Sequence, residues 1–219
     1  MTGPLRLYYS PGACSLAPHA ALEEAGAAFE PVRVDFEKTE QRGAAYLAIN
    51  QKGRVPALAQ GDPGQDDWVL TENPAILRYI ARIHPAAGLW PEEPRAEAAC
   101  LEWLAWSAST IHPAFAHVRR AERYATSDAA KAEVIERGRE ACGDLWTMIE
   151  VNLSRGPWAA GDAFSVADLY LLVFWLWGRG PVLGYDMPRM FPHWTDLMRR
   201  VCARPGVGRA LEREGLTPP

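Results

Sequence analysis

Along the first 84 residues, apolar and polar positions follow strand and helix periods in turn. Residues 5–9 read as a short strand and residues 29–34 alternate as a second one. Residues 15–24 between them have a helical pattern that Gly26 ends in the left-handed conformation, and residues 42–49 add a short helical segment. The chain therefore opens with a predicted βαβ unit.

A hairpin and a helix follow this unit. Residues 57–59 and 68–70 are predicted strands joined by the turn QGDPGQDD. Asn73 is placed to cap a helix that has Pro74 at its first position. The first region thus has the order βαβ-ββα and belongs to the α/β class.

After residue 84 the pattern becomes wholly helical. The stretch HPAAGLWPEEP is rich in proline and has no period, so we place the domain boundary there. Residues 1–84 form the first domain, residues 85–94 a linker and residues 95–219 an all-helical C-terminal domain. Helical patterns cover residues 95–123, 129–153, 166–177, 191–203 and 207–214.

Two of these helices carry N-terminal capping signals. Ser127 or Asp128 can cap the second helix, and Ser165 with Asp168 three positions later resembles a capping box. The helix after Ser165 is apolar almost all round, which predicts a central, buried position.

Composition and charge exclude several function classes. The chain has 219 residues, of which 48% are hydrophobic and 23% charged, so it is not a disordered or low-complexity protein. Its formal net charge is -4, and no basic face is evident. We therefore expect neither nucleic acid nor an anionic membrane as a partner.

The cysteines and the N-terminus indicate a reducing compartment. The first residues lack the pattern of a signal peptide, and the longest apolar run is about half a membrane span. The four cysteines form no CxxC pair and no zinc-type spacing. We expect a cytoplasmic protein with free thiols and no metal.

Cys14 is the first candidate for chemistry, because a Pro-Gly loop precedes it and a helix follows. Unpaired backbone N–H groups and the helix dipole stabilise a thiolate at such a place, so the sequence predicts a lowered pKa for Cys14. The same donors would also suit the thiolate of a bound thiol. The competing interpretation is a small buried residue that helps the turn to pack.

Two further segments suit a peptide-like ligand. Pro56 at a strand start leaves the backbone of Val55 free to pair with an extended ligand. Glu72 and Asn73 at a helix start suit the ammonium and carboxylate of an amino-acid head group. The alternatives are an ordinary turn at Pro56 and ordinary capping by Asn73.

His112 is the one titratable group on a predicted stripe of small residues. At 100° per residue, Ala98, Ala105, Ser109, His112 and Ala116 share one face of the helical pattern. A histidine in such a groove can donate to a thiolate or move a proton. A structural histidine before a proline is the alternative.

In this order, the motifs resemble the glutathione transferases, most closely the bacterial beta class. The matching segments are YYSPGACS, KGRVPAL, TENPAILRYIA, STIHPAF, FSVADLYL and ARPGVGRAL. The resemblance implies a thioredoxin-like N-terminal domain, an all-α helical-bundle C-terminal domain, a homodimer, and glutathione as co-substrate.

The resemblance also implies roles for individual residues. Cys14, Ser15 and His112 are the candidate catalytic residues, with Cys14 beside the glutathione sulfur. Val55, before a cis Pro56, is expected to pair with the glutathione cysteine. The remaining glutathione contacts are expected from Tyr9, Lys38, Arg54, Glu72, Asn73 and Ser109.

Three departures bear on affinity. Ala105, Thr39 and Pro113 stand where relatives can carry polar or basic residues, so glutathione affinity and substrate choice are open. The expected activity is attack of the glutathione thiolate on a hydrophobic electrophile. The alternatives are a thiol-disulfide reductase or peroxidase with Cys14 as the mixed-disulfide nucleophile, and a non-catalytic protein that binds hydrophobic ligands.

Overall fold

The sheet lies in the first region of the chain. The computed structural model describes residues 4–62 and 65–219. Within these residues the strands are β1 (Leu5–Tyr9), β2 (Phe29–Arg33), β3 (Ala57–Asp62) and β4 (Gln65–Thr71). They form one mixed sheet in the order β2-β1-β3-β4, with β1 parallel to β2 and antiparallel to β3. The predicted hairpin of β3 and β4 is confirmed, and residues 63–64 of its turn lie outside the described residues.

Helices cover both faces of this sheet, namely α1 (Leu16–Glu24), α2 (Ala44–Ile49) and α3 (Asn73–Ile83). Alternation along β1 explains the two faces. Leu7 joins the main core with α1 and α3, whereas Tyr8 packs in a smaller cluster with Tyr46 of α2.

The rest of the chain is helical, which confirms the predicted fold class. Its helices are α4 (Pro94–Trp106), α5 (His112–Arg119), α6 (Asp128–Leu153), α7 (Val166–Arg179), α8 (Met187–Met190), α9 (Pro192–Cys202) and α10 (Pro205–Glu214). Helix α7 is central, as predicted, since nearly all of its side chains are buried and both α4 and α9 pack against it. None of the helices in the described residues has the length and apolar character needed to cross a membrane.

The predicted caps of α6 and α7 are present. The hydroxyl of Ser127 accepts from the Ala130 N–H at 3.2 Å, and Ser165 with Asp168 forms a reciprocal capping box at the start of α7. Gly26 has a φ of +61°, which is the left-handed conformation expected after α1.

The single helix predicted for residues 95–123 is wrong. The segment Ser107–Ile111 is a π-helical turn, and the His112 N–H donates to the Ser107 carbonyl five residues back. Pro113 has no N–H to donate to the helix, which favours such a wide turn. A π-helical turn holds more residues than an α-helical turn and therefore rotates α5 relative to α4. The predicted stripe of small residues does not continue from α4 into α5.

One core joins the two regions. Helix α1 packs against α3 on the sheet side and against α7 and α10 on the helical side. The change from mixed to helical structure lies between the end of α3 at Ile83 and the start of α4 at Pro94. The open cleft forms where the carboxyl-terminal side of β1 and the start of α3 meet the helices around His112.

Candidate active site

The cleft brings together most of the predicted site residues. Its lining includes Cys14, Arg54, Val55, Pro56, Glu72, Asn73 and His112. Four predicted residues, Tyr9, Ser15, Lys38 and Ser109, do not belong to this lining.

Cys14 occupies the expected place but not the expected electrostatic state. Its thiol is 8% exposed and donates to the carbonyl oxygen of Val55 at 3.4 Å. Burial raises the pKa of Cys14 to about 12, and this outweighs the opposing hydrogen bond from Asn73. The predicted lowering of this pKa is therefore wrong, and the thiol is protonated at neutral pH.

The segment before β3 presents a free backbone donor. The Val55–Pro56 bond is cis, as expected. The Tyr46 hydroxyl and the Asn50 amide both donate to the Arg54 carbonyl, at 2.7 and 2.6 Å, and hold the segment in place. Among the residues that the structure describes, none accepts a hydrogen bond from the Val55 N–H.

Glu72 stands in a strained conformation at the start of α3. Its φ is +75°, which a non-glycine residue adopts only at a cost of about 1 to 3 kcal/mol. The Glu72 carboxylate is 63% exposed and pairs with the Lys52 ammonium at 2.6 Å. This backbone conformation places Glu72 in the lining of the cleft.

The interpretation of Asn73 as an N-cap is wrong, because Glu72 takes the N-cap position. The Asn73 side chain is buried, and its amide donates to the Cys14 carbonyl oxygen at 3.0 Å. The side-chain carbonyl oxygen of Asn73, Oδ1, has no hydrogen-bond partner among the described residues. Asn73 thus ties the cysteine loop to α3 and keeps one acceptor unused.

His112 lies on the opposite wall at the start of α5. Its ring contacts Trp177 edge-on, with the ring centroids 5.0 Å apart. Burial, followed by the charges of Arg54 and Arg123, lowers the pKa of His112 to about 4. At neutral pH the imidazole is uncharged and offers one N–H donor and one acceptor.

Acidification is expected to reduce stability through His112. The folded pKa lies below the ordinary value of 6.5, so the unfolded chain takes up this proton first as the pH falls. Between about pH 7 and pH 4.5, the free energy of unfolding should fall by about 2 to 3 kcal/mol more in the wild type than in His112→Asn. Urea unfolding at both pH values measures this difference.

The control for this measurement is His193→Asn, at an exposed position on α9. That variant should follow the pH dependence of the wild type. The same slope in wild type and His112→Asn would contradict the assignment.

The loop before Cys14 is held from the far end of the chain. The Glu214 carboxylate accepts from the Gly12 N–H at 2.9 Å and contacts His19 Nδ1 at 2.7 Å. The Trp177 indole N–H donates to the Gly12 carbonyl at 2.9 Å. Trp177 therefore contacts both the cysteine loop and His112, a connection that no local motif indicates.

The four predicted residues outside the cleft have other partners. Ser15 is fully buried, and its hydroxyl donates to the Ser10 carbonyl and accepts from the Ser10 N–H. Tyr9 packs against His19, with ring centroids 5.0 Å apart. Lys38 pairs with Asp35 and is 74% exposed.

Ser109 is exposed because of the π-helical turn. Its hydroxyl lies 3.4 Å from that of Thr110, and Ala108 lines the cleft in its place. Its assignment to the cleft came from a helical count of 100° per residue, and that count fails across the wider turn.

Several lining residues were not among the candidates from the sequence, namely Asn50, Lys52, Arg123, Tyr124 and Tyr170. The sequence did contain a signal for Lys52, because this residue begins the Lys-Gly-Arg turn before Val55. The sequence offered no signal for Arg123 and Tyr124, because the 3-10 turn Ala121–Arg123 falls within the last residues of the helix predicted over 95–123. Within the described residues, no group of three histidine, cysteine or acidic side chains is placed to hold a metal.

Comparison with known proteins gives consistent matches along the chain. The family model described as "Glutathione S-transferase, N-terminal domain" matches residues 3–82, and the corresponding C-terminal domain model matches residues 107–205. Glutathione S-transferase GST-4.5 of Xanthomonas campestris pv. campestris is 33% identical over 213 residues, which cover 97% of this chain and 100% of that protein.

Solved structures of glutathione transferases resemble this chain over nearly its whole length. A glutathione transferase homologue from Sulfitobacter with bound glutathione has a TM-score of 0.87 at 39% identity, covering 99% of this chain and 100% of that one. A bacterial beta class glutathione S-transferase from Sphingomonas chungbukensis has a TM-score of 0.79 at 37% identity, covering 97% and 100%.

Proposed function

Because the chain belongs to the glutathione S-transferase family, we propose that its cleft holds glutathione and directs the glutathione thiolate onto a hydrophobic electrophile. The protein is a glutathione transferase of the bacterial beta type. Residues 1–84 supply the tripeptide site, and residues 95–219, beyond the linker at 85–94, supply the opposite wall.

The free N–H of Val55 carries this proposal. It lies in one cleft with the Cys14 thiol and with the start of α3. An extended peptide that pairs with Val55 places its central cysteine beside Cys14. Its γ-glutamyl head group then reaches the Glu72 carboxylate, which suits an ammonium, and the α3 N-terminus at Asn73, which suits a carboxylate.

The residues around the bound sulfur act as neutral hydrogen-bond donors. A cysteine thiol has an ordinary pKa near 8.5, and each unit by which the site lowers it is worth about 1.4 kcal/mol. The protonated Cys14 thiol and the uncharged His112 imidazole each have a hydrogen to donate to the thiolate. The thiol proton of glutathione leaves to solvent when the thiolate forms. The sulfur then bonds to the electrophilic carbon, and the bond from that carbon to the leaving group breaks, with the leaving group keeping the bonding electrons.

The function of Cys14 is tested by two substitutions. Cys14→Ala removes the donor and is expected to lower kcat/KM for conjugation by about tenfold, whereas Cys14→Ser keeps a donor and should retain most of the activity. Steady-state conjugation and glutathione-disulfide exchange are measured together on both variants.

Two outcomes would count against this role. Unchanged rates in Cys14→Ala for both reactions would exclude a catalytic role for Cys14. Equal loss of both reactions in the alanine and serine variants would instead show that Cys14 acts as a nucleophile. The buried, protonated thiol disfavours that second mechanism.

Quaternary structure and compartment are part of the same proposal. We place the protein in the cytoplasm as a homodimer. The four cysteines are free thiols, as in reducing compartments. The half-exposed apolar side chains of Leu101, Met148 and Val151 offer surface for a second copy.

A further inference from the structure

Arginines cluster at the mouth of the cleft in a chain of net negative charge. Arg54 and Arg123 line the cleft itself. Arg42 and Arg120 lie close enough for their charges to act on Arg123. The formal net charge of the chain is -4, so this cationic mouth is a local property of the site.

Nearby carboxylates do not neutralise this cluster. Within the described part of the chain, Arg42, Arg54 and Arg123 form no ion pair. Glu122, whose carboxylate acts on Arg123, pairs with Arg120 at 3.9 Å. The Glu72 carboxylate at the other end of the cleft pairs with Lys52.

Arg123 lines the cleft among other positive charges. Burial, then the charges of Arg54, Arg120 and Arg42, lower the pKa of its guanidinium. A guanidinium that lines a cleft among like charges is stabilised by an anion, and its planar donors fit a carboxylate.

The position of Arg123 indicates which ligand supplies that anion. The tripeptide, where we place it, runs along Val55 and the start of α3. Arg123 stands on the other wall with Tyr124, Ala116 and His112, where the second substrate of a transferase would lie. Tyr124, whose ring packs on His117 with the centroids 4.2 Å apart, and His112 are aromatic, and the small side chain of Ala116 also lines the cleft.

We propose that the second substrate is an aromatic electrophile that carries a carboxylate, and that Arg123 binds this carboxylate. This inference rests on the proposed function and names the substrate class of that site. The ring lies against Tyr124 and His112, and the arginine holds the reactive carbon toward the glutathione sulfur.

The probe is 4-chloro-3,5-dinitrobenzoate, compared with its methyl ester. In both, the glutathione thiolate bonds to the ring carbon that carries chlorine. The carbon–chlorine bond then breaks, chloride leaves with the bonding electrons, and the thiol proton passes to the buffer. The carboxylate or ester is unchanged, so the charge that Arg123 would recognise is present in one probe and absent from the other, and the uncatalysed rates account for their different reactivity.

The expected result is a preference for the acid. After division by the uncatalysed rate of each probe, wild-type kcat/KM should favour the acid over the ester by about tenfold. Arg123→Gln should lose this preference through a higher KM for the acid, with the ester changed less than about twofold. Arg119→Gln, an exposed arginine on α5 outside the cleft, should keep it.

Several outcomes would overturn the inference. Equal use of acid and ester by the wild type excludes recognition of the carboxylate, although conjugation of both would leave the proposed function intact. A rise in the KM for glutathione with both probes in Arg123→Gln would assign the arginine to the tripeptide. No turnover of either probe, together with no retention on immobilised glutathione, would overturn the proposed function as well.

Discussion

Replacing Asp168 with alanine is expected to lower the free energy of unfolding by about 3 to 4 kcal/mol. Its fully buried carboxylate accepts from the Ser165 N–H at 2.8 Å and from the Ala159 N–H at 2.9 Å. Both donors lose a charged acceptor, and the Ser165 N–H loses it in a fully buried position. The change also removes half of the capping box of α7, around which the helical domain packs.

Urea unfolding followed by tryptophan fluorescence measures this loss. Asp168→Asn keeps one acceptor oxygen, so its free energy of unfolding should fall by less. This variant is measured instead if the alanine variant fails to fold. Asp128→Ala is the matched control, because its side chain is fully exposed in the first turn of α6 and its loss should stay within about 0.5 kcal/mol. A loss below about 1 kcal/mol for Asp168→Ala would contradict the expected role of this carboxylate.

Gly206→Ala is expected to cost about 3 kcal/mol, because α10 begins directly against the end of α1. A Cβ atom at Gly206 would lie 2.6 Å from both the backbone nitrogen and Oε1 of Glu24. The Glu24 carboxylate accepts from the Gly206 and Val207 N–H groups at 2.7 and 3.1 Å. Relief of the clash therefore breaks the hydrogen bonds that join α1 to α10.

Gly208→Ala, two positions further along α10, is the control, and it is expected to change stability in the opposite direction. Apart from its chain neighbours and the backbone of α10 itself, no heavy atom of the described residues lies within 4 Å of a Cβ atom built there. Alanine should therefore raise stability by up to about 1 kcal/mol through helix propensity alone. Thermal unfolding of both variants gives the comparison, and similar effects from the two glycines would exclude the close approach of α10 to α1.

The local signals of the sequence were sufficient for much of the fold. The pattern of β1, α1 and β2 placed the first unit within a residue or two, because each element carries its own period and Gly26 marks an end. The capping box at Ser165 was readable because its partners lie three residues apart. The helix through Ser107–Ile111 failed because periodicity assumes one angle per residue, which a π turn does not keep.

For the candidate site, the sequence named Cys14, Val55, Pro56, Glu72 and His112, all of which line the cleft. Their chemistry lies in short segments with loop or helix-start signals. Ser15 and Tyr9 also stand beside the cysteine loop, but their side chains have partners within the first domain. Which way a side chain points depends on neighbours distant in sequence, so proximity along the chain was a poor guide for these two.

By itself, the sequence determined the fold class, the order of the elements in the first domain and the family, since all three follow from local patterns and motifs along the chain. Only the tertiary structure decided the electrostatic state of the site. The helix start beside Cys14 favoured a thiolate, but desolvation depends on everything packed around the sulfur, and here it is the larger effect. Glu214 and Trp177 are hydrogen-bonded to Gly12, and Arg123 lines the same cleft as Cys14. In each case the segments are about 100 to 200 residues apart along the chain and meet only when the chain has folded.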